Sequence, residues 1–335
     1  MTNRQILLVS RPDGEPTLAN FRLIETPIPE LKDGQVLVKN LYLSLDPYMR
    51  GRMDDKRSYA PPQKLNEVMI GGTVGEVVAS KHPNYVVGDA VTGMGGWQEH
   101  TIFDGNTPAL RKIDASRIPI TAFLGVIGMP GVTAWYGLNK VCEAQPGQTI
   151  TVSAASGAVG SVVGQLAKAK GCRAVGFAGG PEKCRYVVEE LGFDACIDYK
   201  AHADSKSLYA ALKDVTPDGV HGHFENAGGP LLDAVMVRMN DFGRIAICGM
   251  ISGYNGEPIP MKFPQLILTS RLRVEGFIIS EHLDQWPAAL NELAGYVAAG
   301  TLKYRESIVS GLEAAPEAFF GLLKGKNFGK QLVKL

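Results

Sequence analysis

The sequence predicts an α/β protein in which a β-rich N-terminal region precedes a doubly wound parallel sheet. Three observations support this prediction. Residues 149–170 pass from a strand through a small-residue turn into a helix, and alternating strands and helices continue to about Gly300. Before about Thr121, short strands recur between glycine- and proline-containing turns, a pattern typical of a barrel or sandwich.

The central unit is the stretch TITVSAASGAVGSVVGQLAKAK at 149–170. Its first four residues are β-branched and favour a buried strand. Apolar residues at 159, 162, 163, 166 and 167 have the spacing of one buried helix face. Gly157 and Gly160 lie in the turn between them, where an alanine replaces the first glycine of the dinucleotide fingerprint. We expect a pyrophosphate at this helix N-terminus, with an ordinary small-residue turn as the alternative.

Bulk composition limits the possible functions. With 335 residues and 45% hydrophobic content, two domains are expected. Lys+Arg and Asp+Glu are both 34, so no net charge draws the chain to nucleic acid or an anionic membrane. No apolar run is long enough to span a bilayer, and the first residues lack the pattern of a signal peptide. The 5 scattered cysteines indicate reduced thiols and a cytoplasmic protein.

The region before Thr121 contains short strands separated by turn signals such as Pro12-Asp13-Gly14 and Val87-Gly88-Asp89. The candidate strands include Gln5–Val9, Gln35–Tyr42, Val74–Ala79 and Ala90–Thr92. A polar and aromatic loop is expected at 44–53, between two of these strands.

Repeated strand–helix units follow from Gly125 to about Gly300. Pro181 suits the first position of a helix over 182–191, and Gly192 suits its end. The predicted strands of this region after the first are Arg173–Ala178, Ala195–Asp198, Val220–Glu225, Arg244–Cys248 and Leu272–Ile279, and the later helices are Ser207–Val215, Leu231–Met239 and Pro287–Ala299. Ligands bind beyond the carboxyl ends of such parallel strands. After 307, a helix near 315–324, a polar loop and a last strand are expected.

The end of the second strand indicates the nicotinamide cofactor. A dinucleotide fold that binds NAD carries an acid there, which holds the ribose 2′-hydroxyl. This chain has Ala178-Gly179-Gly180, and Lys183 follows one turn into the next helix. A missing carboxylate and an added cation favour a 2′-phosphate, and hence NADP(H). A solvated surface lysine is the alternative interpretation.

Seven segments together resemble a known family. They run the length of the chain: LSLDPYMRGRM (43–53), GVIGMPGVTAWYGL (125–138), AASGAVGSVVGQLAK (154–168), AGGPEKCR (178–185), GRIAICGMISGYN (243–255), VEGFIIS (274–280) and GLLKGKNFGK (321–330). As a set they resemble the zinc-independent medium-chain dehydrogenase/reductases, in the subgroup of leukotriene/prostaglandin reductases, alkenal double-bond reductases and bacterial curcumin reductases.

This resemblance implies a GroES-like substrate domain at 1–124 and 305–335, a Rossmann domain at 125–304, and a cytoplasmic homodimer. It also implies NADPH-dependent reduction of a carbon–carbon double bond conjugated to a carbonyl. The resemblance places the pyrophosphate at Gly157, Ala158, Val159 and Gly160, and the 2′-phosphate at Lys183 and Tyr199. The remaining cofactor residues that it implies are Asn226, Cys248, Gly249, Met250, Ile251, Ser252, Gly253, Tyr254, Phe277, Ile278, Ile279 and Asn327.

Hydride addition to an enone leaves an enolate, which needs a hydrogen-bond donor and a proton source. Tyr254, expected at the end of a strand, is the first candidate, and capping the nicotinamide pocket is its alternative role. Tyr48 is the second candidate, as a wall of the substrate pocket or a structural tyrosine. No metal is expected. Zinc members of the wider family carry a cysteine, a Gly-His-Glu motif and a four-cysteine lobe, and this chain has none of these; Gly71-Gly72-Thr73-Val74-Gly75-Glu76 occupies the expected early site. His221 and His223 share a strand face, and we interpret them as structural rather than as metal ligands.

Two other functions remain open at the level of sequence. A quinone reductase on the same scaffold would depend less on Tyr254, because quinones need less directed protonation. A non-catalytic NADPH-binding protein would bind the cofactor without turning over an enone or a quinone.

Overall fold

A computed structural model describes residues 1–256 and 258–335. The strands of the described chain are β1 Thr2–Leu8, β2 Phe21–Pro27, β3 Gln35–Ser44, β4 Glu67–Val68, β5 Thr73–Ser80, β6 Ala90–Gly93, β7 His100–Asp104, β8 Leu110–Lys112, β9 Thr149–Val152, β10 Arg173–Ala178, β11 Ala195–Asp198, β12 Val220–Glu225, β13 Met239–Ile247, β14 Arg273–Gly276, β15 Glu306–Ser310 and β16 Lys330–Lys334. The α-helices are α1 Tyr48–Arg52, α2 Met129–Tyr136, α3 Gly160–Ala169, α4 Pro181–Arg185, α5 Ser205–Val215, α6 Pro230–Arg238, α7 Gln265–Thr269, α8 Trp286–Ala298 and α9 Ala315–Leu323.

The chain forms two compact units. Unit 1 comprises Met1–Gly125 with Glu306–Leu335, and unit 2 comprises Val126–Arg305. In unit 1, β16 returns to the N-terminal region and pairs antiparallel with β3, with Leu332 opposite Ser44. This pairing makes the C-terminal segment part of a seven-stranded sheet within the described residues. Its neighbouring apolar core includes Leu43, Met49, Trp97 and Phe319.

Unit 2 is built on a parallel sheet with strand order β11-β10-β9-β12-β13-β14 in the described chain. The chain winds outward from β9 to β11 and then crosses back to β12. The carboxyl ends of β9 and β12 therefore lie at a topological switch point, where doubly wound sheets bind ligands. The doubly wound architecture predicted from the sequence is confirmed.

The central unit folds as its pattern predicts. Every residue of β9 is buried, and so are Val162, Val163, Leu166 and Ala167 of α3. Gly160 packs against the loop, because an added Cβ would lie 2.4 Å from the Ala154 carbonyl oxygen. Gly164 packs against the ring of Phe193, since an added Cβ would lie only 1.8 Å from the ring.

Several predicted boundaries are wrong. The stretch 44–53 is not wholly loop, because it contains α1. The helical segment expected over 182–191 is present: α4 starts at Pro181 and continues as a π-helical turn, Tyr186–Glu190. The strand expected at 244–248 starts at Met239 and ends at Ile247, and the strand expected at 272–279 covers only Arg273–Gly276. The ends of these strands are set by pairing with the neighbouring strand, and not by the content of β-branched residues.

Candidate nucleotide site in unit 2

The glycine turn after β9 is held by its own backbone. Gly157 N–H donates to the Ala154 carbonyl at 2.9 Å, and Ala155 N–H donates to Phe177 of β10 at 2.9 Å. Ala154 adopts φ +50°, a left-handed conformation that is uncommon outside glycine. The tip, comprising Gly157, Ala158 and Val159, is partly exposed. An added Cβ on Gly157 would meet only the Ala154 oxygen, at 3.1 Å, so the space above this glycine is open to a ligand.

A cationic cluster lies at the ends of β10 and β11. An added Cβ on Gly179 would lie 2.9 Å from Lys200 Cε and 3.0 Å from the Tyr199 hydroxyl. Burial lowers the pKa of Lys183, and repulsion from Lys200 lowers it further. Two lysines and a tyrosine hydroxyl therefore surround the glycine turn that follows β10.

One acid beside this cluster, Asp198, is already used by the backbone. Asp198 accepts hydrogen bonds from the N–H groups of Gly180 at 2.8 Å and Lys200 at 3.1 Å. Gly180 has φ +102°, which only glycine adopts readily, so the turn depends on both the glycine and this carboxylate. Asp198 thus shapes the turn rather than occupying the place of an acid that holds a ribose.

A buried polar network lies at the switch point. Glu225 is 0% exposed and accepts from Ser153 Oγ at 2.5 Å and from the N–H groups of Ala227 and Gly228 at 2.6 and 3.0 Å. His223 Nε2 lies 3.0 Å from its other carboxylate oxygen, and His223 Nδ1 lies 2.8 Å from Thr151 Oγ1. Burial opposes the charged form of Glu225, but His223 and the hydrogen bonds outweigh it and hold the pKa of Glu225 below its usual range.

This network fixes three loops at once. Ser153 Oγ also accepts from Asn226 N–H at 2.6 Å, and Asn226 Nδ2 donates to the Ser153 carbonyl at 2.8 Å. The Glu225 carbonyl accepts from Cys248 and Gly249 at 2.9 and 3.1 Å. The loops after β9, β12 and β13 are therefore tied together by one residue and its neighbours.

The loop 248–254 contains Tyr254, which does not lie at a strand end as expected. Ile251 and Ser252 donate to the carbonyls of Asn226 and Ala227, both at 3.1 Å, and draw the chain into a 3₁₀ turn, Ile251–Gly253. Tyr254 follows this turn, and its hydroxyl accepts from Met250 N–H at 3.4 Å. Burial and the charge of Glu225 raise the pKa of Cys248 to about 12, which makes its thiol unreactive.

The other expected cofactor residues lie in two different places. Phe277 and Ile279 follow β14 with buried side chains, and Phe277 packs against Tyr136 at a centroid distance of 5.4 Å; Ile278 is partly exposed. Asn327 belongs to unit 1, where its Nδ2 donates to Gly329 at 2.7 Å. Only the backbone and Ile278 of the 277–279 segment remain available to line a cofactor site within unit 2.

Tyr48 also belongs to unit 1, at the start of α1. Burial raises its pKa, and the nearby Asp46 carboxylate raises it further, so the hydroxyl remains protonated at neutral pH. The loop before it is held by a buried ion pair: Lys330 Nζ of β16 lies 2.6 Å from Asp46 Oδ1 and donates to the Leu45 carbonyl at 2.8 Å. The C-terminal strand thereby positions the segment that carries Tyr48.

Sequence reasoning missed Lys200, Ser153 and Glu225. The position of Lys200 directly after Tyr199 was a usable signal. Glu225 offered none, because an acid at the end of a strand is ordinarily read as exposed. The two histidines are structural: His221 Nδ1 accepts from Thr149 N–H at 3.1 Å and its Nε2 lies 3.2 Å from Asn240, whereas His223 joins the Glu225 network.

Residues 1–256 and 258–335 contain neither a candidate metal site nor a candidate membrane span. No group of three or more His, Cys, Asp or Glu side chains in that range could hold a metal ion. In the same range, no helix has both the length and the apolar character needed to cross a membrane.

Comparisons with known proteins decide the family. The model described as an N-terminal domain of oxidoreductase matches residues 4–111, and the one described as zinc-binding dehydrogenase matches residues 158–295. The chain is 45% identical to the NADPH-dependent curcumin reductase of Escherichia coli (strain K12), with 99% of this chain and 97% of that protein covered. It is 42% identical to 2-alkenal reductase (NADP(+)-dependent) of Nicotiana tabacum, with 99% and 97% covered. The chain belongs to the medium-chain dehydrogenase/reductase family.

A solved structure of this family agrees in fold over the whole chain. CurA from Vibrio vulnificus in complex with NADPH is 44% identical and superposes with a TM-score of 0.92, covering 99% of this chain and 98% of that one. The parallel sheet of unit 2 is the Rossmann sheet of medium-chain dehydrogenase/reductases, and unit 1 is the β-rich GroES-like part.

Proposed function

We propose that this medium-chain dehydrogenase/reductase uses NADPH to reduce the carbon–carbon double bond of α,β-unsaturated ketones and aldehydes. The cationic cluster around Gly179 carries the cofactor assignment, because two lysines and a tyrosine hydroxyl replace the acid that an NAD site has there. The substrate class rests on the curcumin and 2-alkenal reductases, which are 45% and 42% identical over nearly the full chain.

The residues of unit 2 fit NADPH. Open space above Gly157 leaves room for a pyrophosphate beside the start of α3, which has ten residues. Lys183, Lys200 and Tyr199 would hold the 2′-phosphate. Asn226 and the loop 248–254 would hold the nicotinamide end, because the Glu225 network places them at the switch point. The cofactor site we propose comprises Gly157, Ala158, Val159, Gly160, Lys183, Tyr199, Lys200, Asn226, Cys248, Gly249, Met250, Ile251, Ser252, Gly253, Tyr254, Phe277, Ile278, Ile279 and Asn327.

NADPH supplies the hydride in this reaction. The chain must then stabilise the enolate oxygen and deliver a proton to the α-carbon. We assign the hydrogen bond to the enolate oxygen to Tyr254, whose hydroxyl lies in the loop beside Gly249. Tyr48 is the second candidate for this role. The raised pKa of Tyr48 supports a donor role, because a protonated hydroxyl can donate to an oxyanion.

The proposed reaction does not use zinc, although one matching family model is described as zinc-binding. The donor set does not fit zinc: the segment Gly71-Gly72-Thr73-Val74-Gly75-Glu76, at the position expected for a ligand motif, contains neither cysteine nor histidine.

We also propose that residues 125–304 bind the cofactor, that residues 1–124 and 305–335 bind the substrate, and that the protein is a cytoplasmic homodimer. The homodimer is supported by exposed apolar side chains near the start of edge strand β14, Leu268 at 78% and Phe242 at 69% exposure. Sedimentation of the purified protein measures the oligomeric state, and a single species of monomer mass would contradict this part.

The reaction is tested by following NADPH absorbance with curcumin, a long-chain 2-alkenal, a cyclic enone and a quinone, each repeated with NADH. We expect fast turnover of the linear enones with NADPH and little with NADH. Turnover of the quinone alone would reassign the protein to the quinone reductases. A thermal shift with NADPH but no turnover of any compound would leave a cofactor-binding protein without this chemistry.

The tyrosine assignment is tested by Tyr254→Phe and Tyr48→Phe. Loss of one donor to a developing oxyanion costs about 10²- to 10³-fold in kcat. We expect a loss of that order for Tyr254→Phe with the dissociation constant of NADPH unchanged, and a smaller loss for Tyr48→Phe. An unchanged kcat for Tyr254→Phe would limit this residue to shaping the pocket.

A further inference from the structure

Two cysteines of unit 2 lie beside the cationic cluster. Cys184 directly follows Lys183 in α4, and Cys196 lies in β11, two residues before Asp198. All 5 cysteines of the chain are free thiols, and these two are partly exposed. Cys184 Sγ lies 3.9 Å from the Ala178 carbonyl oxygen at the end of β10. Asp198 accepts from Gly180 N–H just before α4, and Cys196, two residues earlier in β11, lies on the same face of the sheet, so both cysteines lie between α4 and β11.

We propose that Cys184 and Cys196 form a reversible disulfide under oxidation, and that this disulfide weakens binding of the cofactor 2′-phosphate. The proposal names a modification site within the cofactor site, and its second part rests on the proposed function. Its geometric basis is the position of the two thiols between the same two elements, one on α4, which carries Lys183, and the other on the strand that ends at Asp198.

The two thiols differ in reactivity. The hydrogen bond from Cys196 lowers the pKa of Cys184, whereas the same interaction and burial raise the pKa of Cys196. Burial raises the pKa values of the other three cysteines, to about 12 for Cys142 and Cys248. Because the thiolate is the nucleophile, Cys184 is the thiol that reacts first and Cys196 is the one placed to resolve it.

The chemistry balances with a peroxide as oxidant. The Cys184 thiolate attacks one oxygen of hydrogen peroxide, the O–O bond breaks, and a sulfenic acid and water form. The Cys196 sulfur then attacks the Cys184 sulfur, the S–O bond breaks, and the hydroxyl leaves as water with the Cys196 proton. In sum, two thiols and one peroxide give one disulfide and two waters. A dithiol reductant reverses the change by thiol–disulfide exchange.

The disulfide alters the neighbouring phosphate site because it shortens the distance between the two cysteine sulfur atoms. A disulfide holds its sulfur atoms at about 2.05 Å, closer than two hydrogen-bonded thiols. Its formation must draw α4 and β11 together. Lys183 moves with α4, whereas Tyr199 and Lys200 follow β11, so the groups that surround Gly179 change their spacing. Coupling between linked sites is typically about 5- to 150-fold in affinity, and we expect about tenfold here.

The modification is tested first without reference to activity. The full-length protein is treated with hydrogen peroxide, its remaining thiols are alkylated, and it is digested with chymotrypsin without reduction. Cleavage after Phe177, Tyr186, Phe193 and Tyr199 releases AGGPEKCRY (178–186) and DACIDY (194–199), each with one cysteine. We expect these two peptides to be joined. Recovery of both as separate alkylated or over-oxidised peptides would overturn the proposal.

The coupling is tested by calorimetric titration of reduced and oxidised protein with NADPH and with NADH. We expect oxidation to raise the dissociation constant of NADPH about tenfold and to leave that of NADH unchanged. Cys184→Ser and Cys196→Ser should both be insensitive to peroxide, and the buried Cys172→Ser should respond like the wild type. An oxidised, cross-linked protein with unchanged NADPH affinity would contradict the coupling. A reduced protein with no preference for NADPH over NADH would instead contradict the proposed function. The peptide map would still show whether the disulfide forms.

Discussion

Two polar clusters at the carboxyl edge of one sheet have opposite characters. The Glu225 network at the ends of β9 and β12 is buried, and its side chains are hydrogen-bonded to one another. The Gly179 cluster at the ends of β10 and β11 includes the exposed residues Tyr199 and Lys200 and places two like charges near each other. The buried cluster therefore ties three loops of the fold together, whereas the exposed cluster carries the positive charge that we propose for an anionic ligand. Substitutions in the first should change stability, and those in the second should change affinity.

The largest expected loss of stability is that of Glu225→Ala. It leaves His223, Ser153 and two backbone N–H groups buried without their acceptor. Removal of one member of a buried charged network costs about 3–5 kcal/mol. Denaturant unfolding followed by tryptophan fluorescence measures the free energy of unfolding. The matched variant Glu225→Gln retains an acceptor for the backbone and should lose only about 1–3 kcal/mol; equal losses for both variants would refute the acceptor argument.

The pH dependence of stability follows from the same carboxylate. Its pKa is lower in the folded protein than the unfolded value of about 4.3. The stabilisation is therefore fully present above the unfolded pKa and is lost as the pH falls below it, because the unfolded state binds the proton first. Thermal unfolding at a series of acidic pH values should show a shallower decline for Glu225→Gln than for the wild type. Parallel declines would mean that other carboxylates dominate acid unfolding.

Unit 1 offers an independent test of the role of buried charge. Lys330→Met leaves Asp46 buried without its cation and should cost about 3 kcal/mol in unfolding free energy. The double variant Lys330→Met with Asp46→Asn removes both charges and should recover part of this loss. If the double variant is less stable than the single one by the full cost of Asp46→Asn alone, the two residues are not coupled.

The exposed cluster should respond in affinity rather than stability. We expect Lys183→Ala to weaken NADPH binding about tenfold, or about 1.4 kcal/mol, and the more exposed Lys200→Ala to weaken it about fivefold or less. NADH binding and the free energy of unfolding should barely change. Lys213→Ala, at an exposed position of helix α5 in the same unit, controls for net charge. A similar loss of affinity for NADH and NADPH would show that this cluster does not bind the 2′-phosphate.

Much of the candidate nucleotide site could be predicted because its parts are local. A strand, a turn with small residues and an amphipathic helix are set by residues within about twenty positions, and Pro181 and Gly192 mark the bounds of the next helical segment. The positions of Gly157, Lys183 and Tyr199 relative to strand ends followed from the same patterns. The fold class followed too, because repeated strand–helix units leave few alternatives to a parallel sheet.

The Glu225 network could not be predicted, because its members come from separate segments. Ser153 and Glu225 are 72 positions apart, and only the pairing of β9 with β12 brings them together. Tyr254 was misplaced for the same reason, since bonds to Asn226 and Ala227 rather than a strand decide where it lies. Lys330 and Asp46, 284 positions apart, meet only because β16 pairs with β3.

Local periodicity and residue type are enough to establish the β-rich region, the α/β region, the glycine turn and the lack of an acid after β10. Only the folded chain shows which polar groups are buried together, that Lys200 lies near Lys183, and that Cys184 and Cys196 lie between the same two elements. The physical reason is that hydrogen bonding and charge coupling act at distances of a few ångströms, which strand order and register set and which spacing along the chain does not encode.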